Sequence, residues 1–147
     1  SLFLTADKLG DLLAPVYEEP ERSIVVSETL HAIIGHRRRG APFTVEAGIV
    51  RVADALDMAK GRSRIPFQAG SASIHSVSAQ AIEAVHIGPG EKKAVRLSIE
   101  MSNSAGLFQL DQLFRDKLAG SGLEPYIELE AQIEGETEKR LLRTFRI

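Results

Sequence analysis

The chain has 147 residues, 44% of them hydrophobic and 26% charged, a globular composition sized for one domain or two small modules. Its 18 Lys and Arg against 20 Asp and Glu leave a formal charge of −2, which gives no overall pull toward nucleic acid or anionic lipid. The absence of cysteine excludes a disulfide framework, a Cys-ligated zinc site, an iron–sulfur cluster and a thiol nucleophile.

The chain starts at Ser1 and runs straight into an apolar Leu2-Phe3-Leu4 segment, so we expect a fragment or a processed product with protein packed on that start. No signal peptide and no membrane-spanning apolar run is visible, and a cytoplasmic location is expected. Leu9, Leu12, Leu13 and Val16 share one face of a first helix. Pro20, suited to a helix's first turn, and Glu21 open a second helix that runs to about His36. Ile24, Leu30, Ile33 and Ile34 form its expected buried stripe; Arg37, Arg38 and Arg39 complement its dipole, and Gly40 and Pro42 stop it.

Thr44 is a good N-cap for a third helix, with Glu46 in the first turn and Gly61 after an end near Lys60. Ile49, Val50, Val52, Ala53, Leu56 and Met58 make it apolar nearly all round, which predicts a buried helix. The turn-rich stretch 61–73 divides the chain into a helical segment, 1–70, and an α+β module, 71–147.

Beyond it the hydrophobic period changes to two. Val85 and Ile87 alternate with polar or small neighbours, Gly88-Pro89-Gly90 turns the chain, and Val95, Leu97, Ile99 and Met101 mark a half-buried strand. Leu107, Leu110, Phe114 and Leu118 give a helical stripe that stops at Gly120. Ile127, Leu129, Ala131 and Ile133 alternate again; Gly135 turns the chain into a last strand carrying Leu141, Arg143, Phe145 and Ile147. The expected fold is α+β: helices first, then ββαββ with an antiparallel four-stranded sheet and one helix on its apolar face.

A carboxylate inside an apolar helix costs several kcal/mol unless paired or metal-bound, which singles out Asp54. Asp57 lies one turn on. A salt bridge to Arg51, Arg62 or Arg64 is the plainer reading of Asp54, a metal ligand the sharper one. His31 and His36 are five apart, not the i, i+4 pair of a helical zinc motif, and by themselves read as core or helix-end histidines. His75 and His86 gather no constellation. Arg37 to Arg39 read as a solvated helix end, and the low aromatic content argues against a nucleic-acid platform. The Gly88–Lys93 loop lacks a phosphate-loop ending and reads as a plain hairpin turn. Arg62 and Arg64 could bind an anion or neutralise Asp57. No Gly-x-Ser-x-Gly elbow is present.

His31-Ala32-Ile33-Ile34-Gly35-His36, followed by residues 44–58 with Val52-Ala53-Asp54-Ala55-Leu56-Asp57 at their centre, resembles the second half of an HD-superfamily metal-dependent phosphohydrolase domain. The remainder, with Gly61-Arg62-Ser63-Arg64-Ile65-Pro66 and residues 102–109, resembles a C-terminal extension of some members. The resemblance implies that Asp54 is a metal ligand and that His31 and His36 lie at the metal or substrate site. Arg62 and Arg64 would then position a phosphate. The cofactor implied is a divalent metal ion that activates water, and the substrate a phosphorylated small molecule or nucleotide.

The family's upstream His and His-Asp doublet are absent from this chain. A hard metal needs three or more ligands from different helices, so the chain alone is expected to be inactive. The alternative is a non-enzymatic regulatory or dimerisation module, with a homodimer as the partner.

Overall fold

The computed structural model describes residues 2–37, 39–59, 78–134 and 144–146. Helix α1 (Leu2–Leu13) leads through a turn to α2 (Glu21–Gly35), which begins directly after Pro20 with Glu21 in its first turn. Helix α3 (Val45–Leu56) is N-capped by Thr44, whose Oγ1 accepts from the Ala47 N–H at 3.4 Å. It ends at Leu56, short of the expected Lys60, because the backbone leaves helical geometry at Asp57 (φ −74°, ψ 58°).

Strands β1 (Ile82–Pro89) and β2 (Val95–Met101) follow. A short 3₁₀ turn at Ser104–Gly106 then enters a crossover helix with π geometry over Gln109–Phe114, closed by α4 (Arg115–Leu118). Strands β3 (Ile127–Ile133) and β4 (Thr144–Arg146) complete the described elements.

The α+β class and the ββαββ order are those expected, and among the described residues the sheet order is β1-β2-β3-β4. The all-antiparallel sheet needs correction. β1/β2 and β3/β4 are antiparallel, but β2 and β3 run parallel, with Leu97 beside Leu129 and Met101 beside Ile133. The crossover helix carries the chain from the end of β2 back to the level of its start. A strand that returns by such a path lies parallel to the first, as in a βαβ unit.

The core lies between this helix and one face of the sheet. Leu110, Phe114 and Leu118 cover Leu97, Ile99, Met101, Leu129, Ala131 and Ile133, and Val52 and Met58 join them from α3 and its exit. Gly106 and Gly48 permit close approach around this core. A Cβ on Gly106 would lie 2.6 Å from the Met101 sulfur, and one on Gly48 would lie 2.1 Å from the Ser121 carbonyl oxygen.

The helices are less covered than their composition predicts. Ile24, Ile33 and Ile34, the expected buried stripe of α2, are 59%, 37% and 49% exposed. Helix α3 is buried on one side only, through Ala47, Gly48, Arg51 and Val52, while Ile49 and Val50 face outward. Among the described residues, no helix is long and apolar enough to cross a membrane.

Candidate functional site

Asp54 sits near the end of α3, and its Oδ2 is 2.9 Å from the Lys117 Nζ on α4. The Lys117 ammonium also donates to the His36 carbonyl oxygen at the end of α2. One cation therefore ties three helices together, and the backbone of His36 and the side chain of Asp54 meet on it. Asp54 is thus in a salt bridge, and Lys117 is a partner that the sequence reading does not name.

His31 lies elsewhere. Its ring stacks on Phe43 with centroids 5.6 Å apart, and its Nε2 accepts from the Phe43 N–H at 3.2 Å. Its Nδ1 lies 3.5 Å from both Thr44 Oγ1 and Glu28 Oε2, and Thr44 Oγ1 in turn donates to Glu28 at 3.0 Å. This cluster holds the start of α3. Asp54 lies ten residues beyond Thr44, about 15 Å along the axis at 1.5 Å per residue. The structure therefore separates His31 from Asp54 and, among the described site residues, brings His36 near it through its backbone carbonyl. Arg62 and Arg64 lie outside the described residues. Among those described, no three His, Asp or Glu side chains gather closely enough to hold a metal ion.

Two features escape a reading of the sequence. Arg51, considered only as a counter-ion for Asp54, is buried and spreads its guanidinium over five backbone carbonyls. Nε and NH2 donate to Lys117 and Asp116 at 2.9 and 3.1 Å. NH1 donates to Gly35, Arg37 and Gly40 at 3.1, 2.6 and 2.9 Å. The C-terminal ends of α2 and α4 both point their partial negative charge at this cation. An apolar helix with a single Arg on its buried side is the only trace of this in the sequence.

The second feature is Glu128 on β3. Its Oε1 accepts from the Glu91 N–H at 2.8 Å, and its Oε2 from the Lys92 and Lys93 N–H groups at 2.9 and 3.2 Å. The Arg96 Nε, 2.9 Å from Oε1, completes the set. The backbone donors, led by Glu91 and Lys92, and then Arg96 hold the carboxyl at about 2, below its ordinary 4.5. The Gly88–Lys93 loop is thus more than the plain turn expected: its N–H groups converge on an anion. No sequence signal marks the pairing, since the partners are 32 or more residues apart.

No family model and no solved structure matches the chain. It is 39% identical over 136 residues to an uncharacterized protein of Methanocaldococcus jannaschii, an alignment covering 92% of this chain and 52% of that protein. The chain thus spans about half the length of the curated relative it matches.

Proposed function

We propose that this chain is a docking module whose helical half is completed by further protein. The outer stripe of α3 carries this reading. Val45, Ile49, Val50 and Ala53 recur at helical spacing, and all four face outward. Val45 and Ile49 are 55% and 51% exposed. An apolar stripe of this kind, with Ile24, Ile33 and Ile34 uncovered on neighbouring α2, marks an interaction surface rather than a solvated face. The test is to place charge on the stripe with Ile49→Asp and Val50→Asp together. Surface changes away from any contact alter stability by only about 0.5 kcal/mol. The variant is therefore expected to fold, and in sedimentation analysis of the full gene product to lose self-association or a bound subunit. Identical sedimentation of variant and parent, both as free monomers, overturns the reading.

The resemblance of residues 44–58 favours a more specific form of the same reading, in which the completed assembly is an HD-type metal-dependent phosphohydrolase. Asp54 follows Val50 by four residues and so borders the apolar stripe. The described residues do not by themselves fit a metal. Asp54 is paired with Lys117, and His31 is engaged by the Phe43 N–H. The remaining ligands would have to come with the protein that covers α3, or from residues outside those described. The substrate in this form is a phosphorylated small molecule or nucleotide, with Arg62 and Arg64 on its phosphate, and the setting is cytoplasmic. Phosphate release from a panel of phosphomonoesters and nucleotides, by the full gene product with Mn²⁺ or Mg²⁺, tests it. Asp54→Ala is expected to abolish release. Full activity in that variant, or no activity in the parent with any ester, removes the enzymatic form and leaves the docking module.

A further inference from the structure

We propose that the Gly90–Lys93 loop with Arg96 is an anion-binding nest for a small oxyanion, plugged in the described state by the chain's own Glu128. Consecutive backbone N–H groups that point into one concavity bind anions through their summed partial charges. Here three such groups, from Glu91, Lys92 and Lys93, converge on one carboxylate together with the Arg96 Nε. The loop is shaped for this. Gly90 N–H donates to the Ala94 carbonyl at 3.3 Å and closes the turn. A Cβ on Gly90 would lie 2.1 Å from the Lys93 carbonyl oxygen and 3.1 Å from the Glu128 carboxyl carbon, so only glycine admits both the turn and its occupant.

Phosphate and carboxylate share the chemistry this nest reads: two or more oxygens carrying negative charge, each able to accept several N–H donors. Space exists beside the plug, in a cavity of about 280 Å³ bordered by Lys92, Lys93, Arg96 and Glu130. Glu128 projects from the face of the sheet opposite the helical core, since it pairs with Arg96 while the neighbouring Leu129 pairs with Leu97 inside. The side chain can therefore swing outward without disturbing Leu129 and the packed interior. With the Glu128 charge removed, as in an alanine variant, Lys92, Lys93 and Arg96 stand against Glu91 and Glu130, and Glu91 is itself held by the Arg96 NH2 at 3.0 Å. The local balance then favours an incoming anion.

The experiment follows the amide resonances of Glu91, Lys92 and Lys93 while inorganic phosphate, and separately acetate, is titrated into the parent, Glu128→Ala and Glu128→Gln. The alanine variant is expected to bind phosphate saturably at these amides, at least about tenfold more tightly than the parent, because it has no tethered occupant to expel. Glutamine, neutral but still able to place one oxygen in the nest, is expected to fall between them. Acetate binding alongside phosphate supports a general oxyanion nest, and phosphate binding alone narrows the ligand to phosphate. Equal responses in all three proteins, or no response in either variant, overturns the proposal.

Discussion

Arg51→Met tests how the helical half is held to the sheet. The methionine keeps most of the stem's volume but removes the charge and every donor. Arg51 is 4% exposed, so the carbonyls of Gly35, Arg37, Gly40, Asp116 and Lys117 that it serves would face an apolar side chain in its place. Truncating one member of a buried, hydrogen-bonded charged network costs about 3–5 kcal/mol, because the groups left behind lose their partner without regaining water. Arg51→Lys retains the charge but offers three donors from a single atom, which cannot span the ends of α2 and α4 as the planar fork does. We expect it to cost about half as much, roughly 1.5–2.5 kcal/mol. Urea unfolding followed by circular dichroism reads both. With a slope of about 1.5 kcal/mol per molar, the methionine variant's midpoint should fall by about 2–3 M. A loss below about 1 kcal/mol for Arg51→Met would show that the five carbonyls are satisfied by other means, and would refute the account of Arg51 as the tie between the two helix ends.

The Asp54–Lys117 pair is partly exposed, so a double-mutant cycle with Asp54→Asn and Lys117→Met should return a coupling of about 1 kcal/mol, and a coupling indistinguishable from zero would deny the ion pair any part in stability. Gly48→Ala forces a methyl against the Ser121 backbone and should destabilise by about 1–3 kcal/mol; a neutral result in thermal melts would mean that the segment after α4 gives way freely. The Glu128 carboxyl, held at about 2 rather than 4.5, contributes stability that is fully present above about pH 4.5 and is lost as the pH falls toward 2. Parent and Glu128→Gln should accordingly differ in unfolding midpoint at pH 7 and converge at acid pH, and a pH-independent difference would contradict the clasp.

The class and order of the elements are legible in the residues alone. A change of hydrophobic period from about 3.6 to 2 near residue 80 separates the helices from the sheet module, and Thr44 marks the start of α3 by a capping chemistry that acts within one turn. These signals are local, so they survive without a tertiary context. The direction of β3 was not legible, because Ile127, Leu129, Ala131 and Ile133 alternate identically whether the neighbouring strand runs with them or against them; the path of the crossover helix decides it. The stripe on α2 shows which face is apolar but not whether anything lies over it, and the fold leaves Ile24 and Ile34 uncovered. Asp54 stands out as a charge in an apolar helix, yet its partner Lys117 is 63 residues away, on a helix whose position follows from packing over the sheet. Arg51 shows in the sequence only as a lone Arg within an apolar helix and Glu128 not at all, since most of their acceptors and donors are backbone groups that every residue possesses. Only the tertiary structure brings those groups into one place, and with them the two charge-centred anchors of this fold.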